Sequence, residues 1–175
     1  MRKYLYSLDT GIGHLGLAII GLKSRRVKYM RCILTESRLK ESKAEGNVRR
    51  CTELARNLNN LLQRYPSNLF CAEIPNGGAL SSSAMSHMSM ATAFIATFTA
   101  AKGIELLHIT PSEIKKLTGR KGSVSKDDVA TYVERVLGVK VPTKKDIREH
   151  IADALGAYLV ARTKFRSKFS NERPT

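Results

Sequence analysis

Residues 4–20, YLYSLDTGIGHLGLAII, read as two short strands and the turn that joins them. Tyr4, Leu5, Tyr6 and Leu8 are good strand formers, and Leu15, Leu17, Ala18, Ile19 and Ile20 resume the apolar run after a turn carrying Gly11 and Gly13. That leaves Asp9 at the mouth of a central strand. A carboxylate in apolar company is costly to desolvate unless it is hydrogen-bonded, paired or bound to a cation, so Asp9 needs a partner. The residues themselves leave two open: a cation, or the backbone ahead of Gly11 in an Asx turn.

Working outward, residues 27–34 alternate as a third strand after a turn at Ser24, Arg25 and Arg26, giving an antiparallel three-strand meander. Residues 35–46 are charged and suit an exposed connection. Val48, Cys51, Ala55, Leu58, Leu62 and Tyr65 then recur at steps of three and four, the mark of an amphipathic helix that stops before Pro66. Residues 68–74 form a short buried strand closed by Glu73, as Asp9 closes the first. A break at Pro75, Asn76, Gly77 and Gly78 precedes a long helix over 82–102. It is rich in Ala, Met and Phe, carries only His87 as a titratable group before Lys102 at its end, and is expected to be buried on most sides by the core or a second subunit.

Residues 105–109 are a fifth strand, and Thr110, Pro111 and Glu113 start a short helix bearing Lys115 and Lys116. A basic glycine-containing loop over 119–124 leads to Ser125, which caps a helix through Leu137. Thr143 is read as the cap of the last helix, 144–163. Lys164, Arg166, Lys168 and Arg173 follow among polar residues. The organisation expected is one domain over 1–163 and a basic, mobile tail over 164–175.

Thirty Lys and Arg stand against 15 Asp and Glu, a formal charge of +15 with a pI near 10.0. The cations are spread along the chain, not gathered on one amphipathic helix, so nucleic acid is favoured over a membrane as the polyanionic partner. Cys32, Cys51 and Cys71 are odd in number and lack metal-ligand spacing, which suits buried free thiols in a reducing compartment. The longest uncharged run, 74–101, is broken by Pro75, glycines and many Ser and Thr, so neither a targeting segment nor a membrane span is read and a cytoplasmic location is expected.

In the last helix His150 and Asp153 are three residues apart and share a face. Asp146, four before His150, could join them, although Thr143 followed by an acid three residues later reads more simply as a capping box. Glu149 points about 100° from His150 and is expected to be solvated. Ala152, Ala154 and Gly156 leave little side chain around Asp153 and let this helix approach the sheet closely.

Acids thus end strands one and four and stand on the final helix, and here the chain resembles the RuvC-type Holliday junction resolvases of the ribonuclease H-like superfamily, with phage-type members nearest in character. The resemblance rests on Asp9, Thr10 and Gly11 with the strand resuming at Gly16, on Glu73, on the segment 115–126, and on His150, Ile151, Ala152, Asp153, Ala154 and Leu155. It implies an α/β fold: a ribonuclease H-like mixed five-stranded sheet, the antiparallel meander plus two parallel strands, flanked by helices. It implies a metal-dependent crossover junction endodeoxyribonuclease that makes paired nicks in four-way or otherwise branched DNA. Asp9, Glu73, His150 and Asp153 would be its catalytic, metal-binding set, holding two Mg²⁺ ions with Mn²⁺ able to substitute. Lys115 and Lys126 match basic residues near the scissile phosphate, and Lys116, Arg120 and Lys121 would add phosphate contacts. Two symmetric nicks imply a homodimer.

Two departures modify that expectation. His150 stands where some members carry a carboxylate, which suits Mn²⁺ at least as well as Mg²⁺ and makes activity fall where the imidazole protonates. No aromatic residue follows Glu73 closely, so a stacking wedge is missing there or comes from elsewhere, and cut-site preference is expected to be weak. Actin-like ATPases share the strand, acid and glycine turn, but 175 residues leave no room for their second lobe. Aspartic proteases share Asp-Thr-Gly but are mostly strand. A branched-DNA-binding module that does not cut, and a DNA:RNA hybrid ribonuclease, are the remaining alternatives.

Overall fold

A computed structural model describes residues 3–74, 81–119 and 123–169. The break after Ile74, Arg120, Lys121 and Arg173 lie outside these residues.

Strands β1 (Tyr4–Asp9), β2 (His14–Gly21) and β3 (Val27–Leu34) form the antiparallel meander, and β4 (Leu69–Glu73) and β5 (Glu105–Ile109) extend it on the other side of β1. The order is β3-β2-β1-β4-β5, with β1–β4 and β4–β5 parallel. This is the mixed five-stranded sheet expected from the sequence. Helices α1 (Lys43–Arg64) and α2 (Ser82–Ala101) cover one face. Helices α3 (Pro111–Lys116), α4 (Lys126–Leu137), α5 (Lys145–Lys164) and α6 (Arg166–Phe169) cover the other.

Strand alternation decides which side chains meet which layer. In β1, Tyr6 and Leu8 face α1 and α2, while Leu5 lies in the cluster with α5 and Ser7 donates to the Ala154 carbonyl oxygen at 2.5 Å. In β4, Phe70 and Ala72 go one way, and Leu69 and Cys71 the other. Tyr6 stacks on Phe70 with ring centroids 4.6 Å apart. By the same parity Asp9 and Glu73, partners in the parallel register, project toward α5.

Small side chains let α5 lie against the sheet. Gly16 faces His150 so closely that a Cβ would collide with its carbonyl oxygen, and on the α3 side a Cβ on Gly156 would meet the Ile114 side chain at 2.6 Å. Every residue from 154 to 161 is buried.

Several local expectations are corrected. Helix α1 starts at Lys43, inside the expected exposed connection, because Ser42 and Glu45 close a capping box. Helix α5 is capped at Lys144 with no side-chain bond, not at Thr143. Asp146 is therefore its second residue and out of capping-box position. Within this chain helix α2 buries Ala91, Ile95, Phe98 and Thr99, and its first half is exposed, Met85 at 54%, which leaves the second subunit of the expectation to cover it. In the segment read as a tail, Phe169 meets Tyr158 at 6.2 Å and Lys168 pairs with Glu105 at 2.6 Å. Residues 170–175 lie outside the described range.

Gly16→Ala is expected to lower unfolding stability by roughly 1–3 kcal/mol, the usual cost of overpacking, because the new methyl must push α5 off β2. Urea unfolding checks this, and an unchanged midpoint would contradict the close approach.

Candidate active site

Three elements bring their polar side chains to one end of the sheet. Asp9 and Glu73 come from the ends of adjacent parallel strands, and His150 and Asp153 from one face of α5. His150 Nδ1 and Asp9 Oδ2 are 2.6 Å apart. Thr10 ties the two strand ends together, its hydroxyl donating to the Glu73 carbonyl oxygen at 2.6 Å. The sequence-predicted set of Asp9, Glu73, His150 and Asp153 is brought together.

The electrostatics are those of crowded acids with too few counterions. Burial, then the charges of Asp9 and Asp153, push the Glu73 carboxyl up to about 9. Burial and the Asp9 charge raise Asp153 to about 6. The hydrogen bond His150 donates to Asp9 raises its pKa against its own burial. Glu73 Oε2 is buried with no hydrogen-bond partner, the only such side-chain atom among the described residues. An unsatisfied buried carboxylate oxygen is expensive, and a hard cation is the partner that would answer it.

The donor set fits a divalent ion: three carboxylates and one imidazole from separate elements, with an oxygen in want of a ligand. Among the described residues no three of them already close on a single point. Asp9 is engaged by His150 and Asp153 by Lys126, so the side chains hold one another, and gathering them round an ion requires these pairs to loosen.

Lys126, the first residue of α4, is the cation of the site. Its Nζ lies 2.9 Å from Glu149 Oε2 and 4.0 Å from Asp153 Oδ2. Glu149 is thus paired, contrary to the solvated state expected for it, because α4 packs against α5 and carries Lys126 across its path. Lys126 holds the Glu149 carboxyl below its ordinary value. Lys115, on α3, is close enough to favour the ionised form of Glu73, while Lys116 is exposed in the last turn of α3. Asp146 contributes charge near His14, not a cap.

Sequence reasoning missed His14, whose ring stacks on that of His150 with centroids 5.1 Å apart and planes 15° from parallel. The signal was there: His14, Gly16, Ala18 and Ile20 alternate onto the α5 face of β2. Burial and the neighbouring His150 lower the pKa of His14.

The folded protein without an ion keeps protons on Glu73 and Asp153 that the unfolded chain releases, so its stability falls as pH rises. Glu73 gives this slope from about 4.5 to about 9 and Asp153 from about 3.8 to about 6. His150, raised above 6.5, has the same sign: its stabilisation is present below that value and is lost through its folded pKa. Melting of ion-free protein is therefore expected to move to lower temperature between about pH 5 and pH 9, and Glu73→Gln to flatten the upper part of the slope. A melting temperature that rises over this interval would contradict the buried-acid account.

Among known proteins, the family model described as "Crossover junction endodeoxyribonuclease RuvC" matches residues 5–161. The RuvC of Prochlorococcus marinus is 27% identical over 167 residues, 95% of this chain and 99% of the relative. That of Natranaerobius thermophilus is 24% identical over 152 residues, 86% and 91% of the two chains. In structure, Thermus thermophilus RuvC in complex with Holliday junction substrate superimposes with a TM-score of 0.72 at 19% identity, covering 95% of this chain and 97% of that one. The yeast mitochondrial Holliday junction resolvase gives 0.50 at 12% identity over 94% and 82%, and at these identities both likenesses speak for the fold. A family dependent on divalent metal accords with the acids at the sheet's end, and a match running through β1, β4 and α5 alike carries the conclusion: the chain belongs to the RuvC family of crossover junction endodeoxyribonucleases.

Proposed function

We propose that this chain is a junction-resolving endonuclease that hydrolyses phosphodiesters in opposed strands of four-way DNA, with Asp9, Glu73, His150 and Asp153 holding two Mg²⁺ ions and accepting Mn²⁺. The observation that carries the reading is the buried, partnerless Oε2 of Glu73 amid converging acids at the end of the sheet. When bound, the divalent ions supply Lewis acidity and a more acidic water beside the phosphorus.

The chain's own residues do the rest. Asp9 and Glu73, fixed by the strand register and by Thr10, set where the scissile phosphate stops. Asp153, on the helix pressed into the sheet, closes the third side. Lys126 is held at the rim by Glu149, and once that pair opens its ammonium can turn toward the phosphoryl oxygens, where charge builds up as the bond to the 3′ oxygen breaks. Lys115 adds charge from the α3 side, and Lys116, Arg120 and Lys121 serve the flanking phosphates.

Two nicks call for two sites related by a two-fold axis, and a homodimer supplies them. The exposed first half of α2, with Met85, and the shallow apolar face of Met90, Ala93, Phe94 and Phe98 are the surface proposed for that contact. No helix among the described residues is long and apolar enough to cross a membrane, and the proposed place of work is a bacterial or phage-infected cytoplasm.

With a labelled synthetic junction, wild type is expected to give paired nicks in Mg²⁺ or Mn²⁺ and none in EDTA. Asp9→Asn should bind the junction with cleavage reduced at least a hundredfold. Linear duplex and DNA:RNA hybrid should be cut far more slowly. Tight binding with no cut in either metal would establish the non-cutting module instead, and sedimentation as a monomer on the junction would refute the dimer.

A further inference from the structure

Glu149 is the acid of this region to which the chemistry above gives no task. It precedes His150 in the chain but points about 100° round α5 from it, and it stands one turn before Asp153, so that Glu149 and Asp153 share a helix face. Lys126 reaches over that face from the start of α4. Its Nζ is 2.9 Å from Glu149 Oε2 and 4.0 Å from Asp153 Oδ2. One ammonium thus stands between a carboxylate of the proposed ion site and one outside it, and the outside one holds it.

The pair is anchored through its backbones and loose in its side chains. Ser125 and Asp128 close a capping box on the first turn of α4, and Arg148 of α5 reaches Asp127 at 3.7 Å, which ties the start of α4 to α5. The Lys126 side chain itself is 55% exposed. An ion pair so open to water adds little to stability, and what it does fix is where the ammonium stands. Among the described residues Glu149 has no second ion partner, and a divalent ion that takes Asp153 leaves Glu149 as the anion that keeps Lys126.

Depth decides which phosphate can compete with that carboxylate. The Asp153 side chain is 17% exposed and Glu73 Oε2 is buried, so the acids form a recess. A phosphate seated against Asp153 comes within reach of the ammonium 4.0 Å from that acid, whereas a phosphate resting outside the recess meets a lysine already paired. A strand that leaves its helix at a crossover can enter the recess; the phosphates of an intact duplex are carried on a stiff rod.

We propose that Glu149 is a specificity-determining positioning residue, which withholds the Lys126 ammonium from any phosphate that stops short of Asp153 and so sets junction apart from linear duplex. The inference rests on the junction-nuclease reading and adds to it a residue that acts through Lys126.

The test is a double-mutant cycle of Glu149→Gln and Lys126→Gln, read as affinity for a synthetic junction and for linear duplex in EDTA. Nothing is cut there, so the part Lys126 plays in cleavage does not enter. Glu149→Gln keeps the shape of the side chain and frees the ammonium for either DNA. Duplex affinity is expected to rise about tenfold and junction affinity about twofold, a fall of about fivefold in preference, within the coupling of residues in contact. With Lys126→Gln in place, Glu149→Gln should leave the preference unchanged. In Mg²⁺, Glu149→Gln should cut linear duplex faster than wild type does. Both side chains reach solvent, and the variants are expected to melt as wild type does. Glu149→Gln that tightens both DNAs by one factor reports charge alone and overturns the proposal. A change of preference that survives Lys126→Gln, or weaker junction binding by Glu149→Gln, overturns it as well. Wild type that binds junction no better than duplex overturns the junction reading itself, and the proposal with it.

Discussion

The site depends on the pairing of β1 with β4. Two parallel strands in register place Asp9 opposite Glu73, and strand parity turns both toward α5. Neither acid could be moved without slipping the register, and a one-residue slip would turn Leu8 and Ala72, buried on the other face, into the site. The arrangement therefore comes at no extra cost in folding precision: the apolar residues that set the register also set the distance between the acids.

What the packing brings together, the electrostatics resist. Glu73 and Asp153 both sit well above ordinary carboxylates because burial and then the charge of Asp9 oppose ionisation. The counterweights are few: Lys126 shared between Glu149 and Asp153, His150 against Asp9, and Lys115 farther out. A chain with a formal charge of +15 thus gathers these acids at the end of its sheet. Positive charge elsewhere draws in DNA, and the acid cluster reserves its centre for cations.

Much of this was legible in the sequence because it follows from short-range rules. The meander, the two later strands and the helix over 82–101 follow from apolar periodicity, and Asp9 and Glu73 stood out as acids closing apolar strands. His150 and Asp153 followed from helical spacing. Less legible was whatever depended on the approach of separate elements. Glu149 points away from His150 on its own helix, and only the placement of α4 gives it Lys126. The start of α5 was misplaced by one residue because Thr143 offers the right side chain, while the backbone turns at Lys144. Composition marks helix α2 for burial without saying what buries it, and its first half is exposed in the single chain. A cavity beside His14 has no local signature, being built from the β1–β2 turn and from residues of β2, β3, α1, α2 and α5 together.

The central claim, that the buried acids form a divalent-cation site, is tested most directly by calorimetric titration of Mn²⁺ into the free protein near pH 8 in two buffers of different ionisation enthalpy. Binding must strip the proton from Glu73, which lies up at about 9, so the account predicts heats that differ between the buffers by the release of about one proton. Glu73→Gln should bind more weakly and release none. Binding with no proton release, or no binding at all, would contradict it.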